Sequence, residues 1–475
     1  MKLVKSLSFT EDIKQYFLKN ASMDEIRNAA SRLCRDYLTG RWKSISAEDI
    51  VVKRISGGLS NFLYYISLPA EEVSDKNSNS LCNIQTTAIS TSKRQRKDSA
   101  ACGDEPTEVL LRIYGQTHGE HALETMITES VVFALLSERN LGPKLHGLFP
   151  GGRIEQYIPA RPLRTLELSD CKTSMKIAEK MGKIHSLHIP VSKEPEWLWN
   201  TMQRWLKSLD SIINNISPEN EEKPEVHEIK KIDFEKEVEW IRSVVDSGDY
   251  PVVFCHNDMQ EGNILLREEP SRSRRESVKS LSSLPETENE ASSSLSGDHN
   301  ANASSGLIGI QSRKRSIPSD DSYTDLDNSS DSVISNDSEE SEPDLMIIDF
   351  EYCAYNYRGF DLANHFIEWT IDYSNPVFPF FSHTKEQYPT KEQRQDFISA
   401  YLRKDNEDIE NYIPNAEEIE SLEKEIRTFS MISHLFWGLW SVVNVYQNIE
   451  FGYWEYAVSR LREYQALKNS FLSAP

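Results

Sequence analysis

Residues 251–266 read PVVFCHNDMQEGNILL, and the reading of this stretch decides the fold. Val252, Val253 and Phe254 have the apolar character of a buried strand end. His256, Asn257 and Asp258 follow at once, and Asn263 stands five positions after Asp258. A second stretch, LMIIDFEY over 345–352, repeats the pattern: an apolar strand from Leu345 to Ile348 ends on Asp349. Two short strands that each deliver acidic or amide oxygens at their C-terminal ends suit a magnesium–nucleotide site. One Asp takes a proton from an attacking hydroxyl, while the Asn and the second Asp hold the metal. Either half alone recurs by chance in polar loops. Both halves in order, each after an apolar strand, form a much more specific signal.

The chain of 475 residues is long enough for two lobes and a large core. Its net charge of −22 argues against nucleic-acid binding, which leaves a basic footprint. Much of that charge lies in a linker and says little about the site. The six cysteines, at 34, 82, 102, 171, 255 and 353, form no CxxC pair or metal spacing and read as free thiols of a reducing compartment. No long apolar region opens the chain and no run of 18 apolar residues occurs, so neither a secretory signal nor a membrane span is expected. The expectation is a soluble, cytoplasmic protein.

Working outward, residues 1–47 have helical spacing, with Ile13, Phe17, Ile26, Ala30 and Leu33 as the apolar positions. Residues 49–68 read as strand, turn, strand, with Gly57 and Gly58 in the turn. A glycine turn lets backbone N–H groups approach a phosphate, although an ordinary hairpin has the same look. Residues 71–105 are polar and rich in Ser, Thr and Asn, and read as a disordered insertion. In the following strand, VLLRIYG, Arg112 either reaches nucleotide phosphates or lays its stem on the sheet with its head in solvent; the residues alone favour the second. The helix over 121–139 takes Leu123, Met126, Ile127, Val131, Ala134 and Leu135 as its apolar face. Its Glu129 is either a partner for Arg112 or a solvated carboxylate.

Gly142-Pro143 ends that helix, and a strand pair broken at Pro150-Gly151-Gly152 leads to RIEQYIP, where Gln156, Tyr157 and Ile158 form a hinge or merely a strand and turn. From Ser169 the chain is mainly helical. Residues 268–342, rich in Ser, Asn, Asp and Glu, separate the two halves of the site and cannot bury enough apolar area to offset chain entropy; a long disordered loop is expected. Asp361 is a candidate anchor for the 256–263 loop. In the helical C-terminal part, 415–470, Trp437 and Trp440 share one helix face. Such a stripe is usually core, but aromatic faces also cage a quaternary ammonium, which offers no hydrogen to bond.

The order H-N-D-x-x-x-x-N then D-F-E resembles the protein-kinase catalytic loop and metal-binding motif. More closely, the pieces ISGGLSN, VLLRIYG, ESVVFALLSERNLGPKL, RIEQYIP, VVFCHNDMQEGNILL, IDFEYCAYNYRGFDLANHFIEW, HLFWGLW and IEFGY resemble the choline/ethanolamine kinase family, with HNDMQEGN similar to its choline-kinase branch. The resemblance implies an α+β, eukaryotic protein-kinase-like bilobal fold: a helical region over 1–47, a small β-rich nucleotide-binding N-terminal lobe over 48–158, and a large, mainly helical lobe over 159–475. It implies ATP-dependent phosphorylation of choline to phosphocholine, the first step of phosphatidylcholine synthesis, with Mg2+.

Carried over residue by residue, the resemblance makes Asp258 the base and Asn263 and Asp349 the magnesium ligands. Gln260 lies near the transferred phosphate, and Arg112 is the phosphate-binding cation, paired with Glu129. Gly57, Gly58, Ser60 and Asn61 form the phosphate-covering turn; Gln156, Tyr157 and Ile158 form the adenine hinge. Tyr352, Glu368, Tyr373, Trp437, Trp440, Phe451 and Tyr456 line the choline pocket. Ethanolamine as sole or second acceptor, and a catalytically inactive scaffold, are the competing readings; intact Asp258, Asn263 and Asp349 argue against the scaffold. The resemblance leaves homodimerisation open.

Overall fold

The computed structural model describes residues 22–55, 61–69, 105–114, 122–267, 343–405, 412–447 and 449–473. Gly57, Gly58 and Ser60, the positions Ile13 and Phe17, and the expected insertions 71–105 (Glu105 apart) and 268–342 lie outside these residues.

Helix α1 (Met23–Tyr37) begins at a reciprocal Ser22–Glu25 capping box, which satisfies orphan N–H groups at its first turn. Five antiparallel strands follow: β1 (Val51–Ile55), β2 (Asn61–Ser67), β3 (Glu108–Tyr114), β4 (Leu145–Phe149) and β5 (Gly152–Gln156), in the order β1-β2-β3-β5-β4. Strand β3 is central and carries a near-continuous apolar run, Val109, Leu111, Ile113, as a doubly flanked strand requires. The inner sheet face and α1 share one core: Ile26, Ala30, Leu33 and Trp42 pack with Tyr64, Ile66, Leu111 and Ile154. The N-terminal helical stretch therefore belongs to the sheet's own core.

Helix α2 (Ala122–Glu138) connects β3 to β4. Its buried face is Val132, Phe133 and Leu136, while Ile127 and Val131 are exposed. The exposure of Ile127 and Val131 corrects the expected face; of its other members Leu135 packs partly buried against the core, and the side chains of Leu123 and Met126 lie outside the described residues. The reason is tertiary: Phe133 packs edge-on to Phe350, just after the second strand of the site, and under the fully buried Arg153. Gly142, past the end of α2, lets Phe350 approach so closely that a Cβ there would lie 2.8 Å from its ring.

After β6 (Ala160–Pro162) the chain is helical: α3 (Cys171–His185), α4 (Glu196–Asn214), two short helices over 218–229, and α5 (Phe234–Asp246). Strand β7 (Val252–Cys255) enters the 256–263 loop, and β8 (Ile264–Arg267) leaves it. Strand β9 (Leu345–Ile347) pairs antiparallel with β8, and β10 (Ala354–Tyr357) pairs with β7. Helix α6 (Arg358–Glu368) follows, then a small β11–β12 pair at 371–372 and 382–383, α7 (Lys391–Asp405), α8 (Ala416–Val443) and α9 (Tyr453–Ser473). One large core joins α3 to α9 with the apolar residues of β7, β8 and β9. A small antiparallel sheet beside a large helical body is the arrangement the sequence leads one to expect. No helix among the described residues is long and apolar enough to cross a membrane.

Candidate active site

Pairing of β8 with β9 sets the frame. Ile264 lies opposite Ile347, and the Ile348 N–H donates to the Asn263 carbonyl at 3.0 Å, so Asn263 and Asp349 emerge side by side. The Asn263 amide donates to the Asp258 carboxylate at 2.9 Å and to the Asp258 carbonyl at 3.0 Å. With its NH2 spent, Asn263 keeps only its Oδ1 for another partner. Together with the Asp349 carboxylate this is a set of hard oxygen donors, which fits Mg2+.

Asp361 fixes the loop. One carboxylate oxygen accepts the Asn257 N–H at 2.8 Å; the other accepts the His256 N–H at 2.9 Å and lies 3.0 Å from His185 Nε2. Burial would raise its pKa, but the bond from His185 and the neighbouring histidines hold it below the usual carboxylate value. His256 Nε2 lies 3.0 Å from the Ile348 carbonyl, and its Nδ1 accepts from Asp258 N–H at 3.3 Å, so the ring donates from Nε2 and accepts at Nδ1. Asn257 and Asp349 both adopt left-handed backbone, at φ 68° and 65°. Asn and Asp tolerate that region best among residues with side chains.

Burial pushes the Asp258 carboxyl well above its ordinary value, reinforced by Glu368, Asp349 and Glu351; the Asn263 amide opposes this. Gln260 turns back to accept the Gly262 N–H at 2.8 Å, closing the turn that presents Asn263. Glu261 was not singled out from sequence. It is buried, one of its carboxylate oxygens has no partner among the described residues, and burial with Glu368 nearby pushes its pKa up to about 8.

Beside this loop lies an aromatic enclosure. The Tyr352 carbonyl accepts from the Asn257 amide at 2.8 Å, which ties the enclosure to the loop. The Tyr352 ring meets Trp437 at 5.6 Å and Trp197 at 6.2 Å, both edge-on. Trp437 meets Trp440 at 5.6 Å, Trp440 meets Tyr456 at 6.4 Å, and Tyr456 meets Tyr373 at 6.2 Å and Phe451 at 5.6 Å. Glu368 accepts from the Tyr373 hydroxyl at 2.9 Å and from Arg460 at 3.2 Å. All seven residues expected in the pocket are thus brought into one contact network. Arg460, fully buried on α9, was not foreseen. It also donates to the Tyr456 hydroxyl at 3.1 Å and to Ser433 Oγ at 2.9 Å, so Glu368 carries a compensated charge.

Beyond Asp349, Arg112 is buried, not solvated. Its Nη1 lies 3.6 Å from Asp349 Oδ1 and its Nε donates to Glu155 at 3.4 Å. The expected Arg112–Glu129 pair does not form. Arg153, opposite Arg112 across β3 and β5, takes Glu129 at 2.7 Å and Glu155 at 2.7 Å. A fully buried guanidinium requires carboxylate partners, and Arg153 is nearer the helix. Asn61 begins β2 opposite Tyr114. Gln156 ends β5 and accepts from the Lys144 N–H at 3.2 Å; Tyr157 packs on Tyr65 at 4.6 Å, and Ile158 follows on the connection to β6.

The likeness to known proteins is extensive. Residues 52–465 match the choline/ethanolamine kinase family. The choline/ethanolamine kinase of Rattus norvegicus is 34% identical over 454 residues, spanning 94% of this chain and 89% of the relative. Choline kinase A2 of Caenorhabditis elegans is 35% identical over 456 residues, 94% and 88% of the two chains. The crystal structure of choline kinase from Cryptosporidium parvum superposes with a TM-score of 0.59 at 23% identity, covering 94% of this chain and 96% of the other, which establishes a common fold. Loop, paired strands and aromatic enclosure fall inside the matched span, and this chain belongs to the choline/ethanolamine kinase family.

Proposed function

We propose that this chain transfers the terminal phosphoryl group of ATP to the hydroxyl of choline, giving phosphocholine and ADP. The observation that carries this reading is the junction at Asn257, whose side-chain amide ties the Asp258 loop to the Tyr352 wall of an aromatic enclosure around Glu368, while its backbone N–H is held by Asp361. A trimethylammonium has no N–H to donate, so π faces and a nearby carboxylate are the groups that can hold it. Family membership and the names of relatives support the same reading.

In this reading Asp258 accepts the hydroxyl proton as the choline oxygen bonds to the γ-phosphorus. The bond between that phosphorus and the β,γ-bridging oxygen breaks, and its electron pair leaves with ADP. Asn263 and Asp349 would hold Mg2+, which when bound neutralises phosphate charge. Arg112 meets phosphate oxygens, Gln260 holds the Gly262 N–H and so keeps its loop closed, and Gly57, Gly58, Ser60 and Asn61 with Gln156, Tyr157 and Ile158 contact the nucleotide. Positioning supplies most of the rate. The two-lobe division near residue 158, action in the cytoplasm, entry of the product into phospholipid synthesis, and homodimerisation belong to the same proposal.

A second acceptor, ethanolamine, is favoured by Glu368: a primary ammonium can donate to its carboxylate, and the rat and human relatives are named choline/ethanolamine kinases. The test is ADP release from Mg-ATP with choline and, separately, with ethanolamine. Saturable turnover with choline supports the proposal; turnover with ethanolamine alone replaces it with the second reading, and none with either sinks both.

A further inference from the structure

Arg112 and Arg153 face each other as direct partners across β3 and β5. Like charges in that position repel. Glu155, two residues after Arg153 on the same face, resolves the conflict by accepting Arg153 Nε at 2.7 Å and Arg112 Nε at 3.4 Å on its two oxygens. Arg153 is 1% exposed and Glu155 2%. The Arg153 Nη1 reaches Glu129 on α2 at 2.7 Å and the Tyr114 hydroxyl at 3.2 Å, and its guanidinium lies 4.0 Å from the Phe133 ring centroid. A continuous chain of charge contacts therefore runs from α2 to the metal-binding strand: Glu129, Arg153, Glu155, Arg112, Asp349.

We propose that Arg153 is the positioning residue for phosphoryl transfer, holding Arg112 through Glu155. This rests on reading Arg112 as the phosphate-binding cation. The arrangement has an electrostatic consequence. A helix carboxylate bonded straight to Arg112, beside Glu155, would neutralise it. Diverting Glu129 to Arg153 leaves Arg112 with a shared Glu155 and the Asp349 carboxylate 3.6 Å away, so one carboxylate fewer screens its charge from the phosphates while its side chain stays fixed. The guanidinium fork suits the task because it binds two carboxylates from separate nitrogens at fixed angles; an ammonium is a point charge.

The test uses Arg153→Lys, Glu129→Gln and Arg112→Met in the full chain, with ATP and choline varied separately and unfolding followed by urea. Arg153→Lys retains the buried charge but not the fork. It should cost about tenfold or more in kcat/KM for ATP, the scale of one lost charge-assisted bond, while choline KM changes less than about twofold and the protein stays folded. In the Arg112→Met background the same substitution should add almost nothing. Glu129→Gln, which severs only the helix end, should cost less than Arg112→Met. Losses that add in the double variant, or an Arg153→Lys enzyme with ordinary ATP kinetics, overturn the proposal while Arg112 keeps its role. Arg112→Met with unaltered ATP kinetics overturns the reading of Arg112 and the proposal with it. If Arg153→Lys fails to fold, the Arg112→Met and Glu129→Gln comparison decides: equal losses mean Glu129 acts directly on Arg112.

Discussion

The Asn263 side chain donates to the Asp258 carboxylate at 2.9 Å, so two residues five apart on one loop are a single unit before any ligand arrives. The bond fixes the Asp258 carboxylate and leaves the Asn263 Oδ1 as the side chain's remaining polar atom. It also opposes the rise in Asp258 pKa that burial and the surrounding carboxylates produce. Asp258→Asn should abolish turnover and leave the fold intact, because the change is nearly isosteric. Turnover near that of the wild type with choline would remove Asp258 from the role of base.

The direction of the Asp258 shift sets a pH dependence. A raised pKa means that the free enzyme holds a proton on Asp258 at pH values where an ordinary Asp has lost it. With Mg-ATP held well below saturation, so that the free enzyme is the species reported, the profile of kcat/KM should therefore rise with pH along a limb above the usual Asp range. Glu368 is the largest charged contributor to the rise. Replacing it with Gln removes a negative neighbour and should move the limb to lower pH, whatever it does to the plateau. A limb that stays in place or moves up contradicts this origin.

Much of this site was legible because periodicity and loop chemistry coincide there. The apolar strands ending on His256 and Asp349 are read directly, and the aromatic positions follow from the family resemblance. The partners of Arg112 and Glu368 were not legible. Glu129 goes to Arg153 because β3 and β5 pair in a register that sets two arginines opposite each other, and no single stretch encodes that register. Arg460 could have been noticed as a cation four residues after Tyr456 on an otherwise apolar helix face, but its contact with Glu368 depends on how α9 meets α6. The misjudged face of α2 has the same cause: Phe350 and Arg153, distant in sequence, decide which side is covered.

Asp361 accepts two loop N–H groups and lies beside His185, all buried. In Asp361→Asn, the amide NH2 must face either the His256 or the Asn257 N–H, donor against donor. Breaking this buried pair should cost about 3–5 kcal/mol of stability. Turnover should fall in the folded fraction because the loop backbone is released. Urea midpoints and activity normalised to folded protein check this; an unchanged midpoint shows that the loop holds itself.

His365 supplies a stability change with pH. Its Nδ1 lies 2.9 Å from the Met259 carbonyl and its Nε2 accepts from Trp369 at 3.3 Å, so the neutral ring is fully used. Burial lowers its pKa to about 4 from 6.5. The unfolded chain binds this proton first, so the stabilisation is complete above pH 6.5 and is lost as pH falls toward 4. At about 1.4 kcal/mol per unit the loss approaches ~3 kcal/mol across that window. Buried His256 and His434 shift in the same direction and add to the slope. His365→Gln, whose amide retains one donor and one acceptor, should flatten the fall in urea midpoint between pH 7 and 5. An equal slope in the variant assigns the effect to other groups.

Trp437 and Trp440 decide whether the aromatic enclosure recognises a cation or is merely core. Trp437 is 6% exposed and its indole N–H has no partner among the described residues, so its π faces are the part of the ring suited to a ligand. Trp440, less buried, bridges Trp437 and Tyr456. A desolvated cation–π contact is worth up to ~2 kcal/mol, and about 1.4 kcal/mol is one decade in affinity. Trp440→Ala should therefore raise choline KM by roughly tenfold or more, with ATP KM nearly unchanged because the residues proposed to meet ATP are not among the aromatic contacts. Ethanolamine, whose ammonium can fall back on hydrogen bonds to Glu368, should lose less. Trp437→Ala should behave alike but also lower the urea midpoint, since it leaves a cavity beside Phe436 and Tyr352. If choline KM is ordinary in both variants, or choline and ATP affinities fall together with the folded fraction, the two indoles are packing and Glu368 with Tyr373 must hold the acceptor without them.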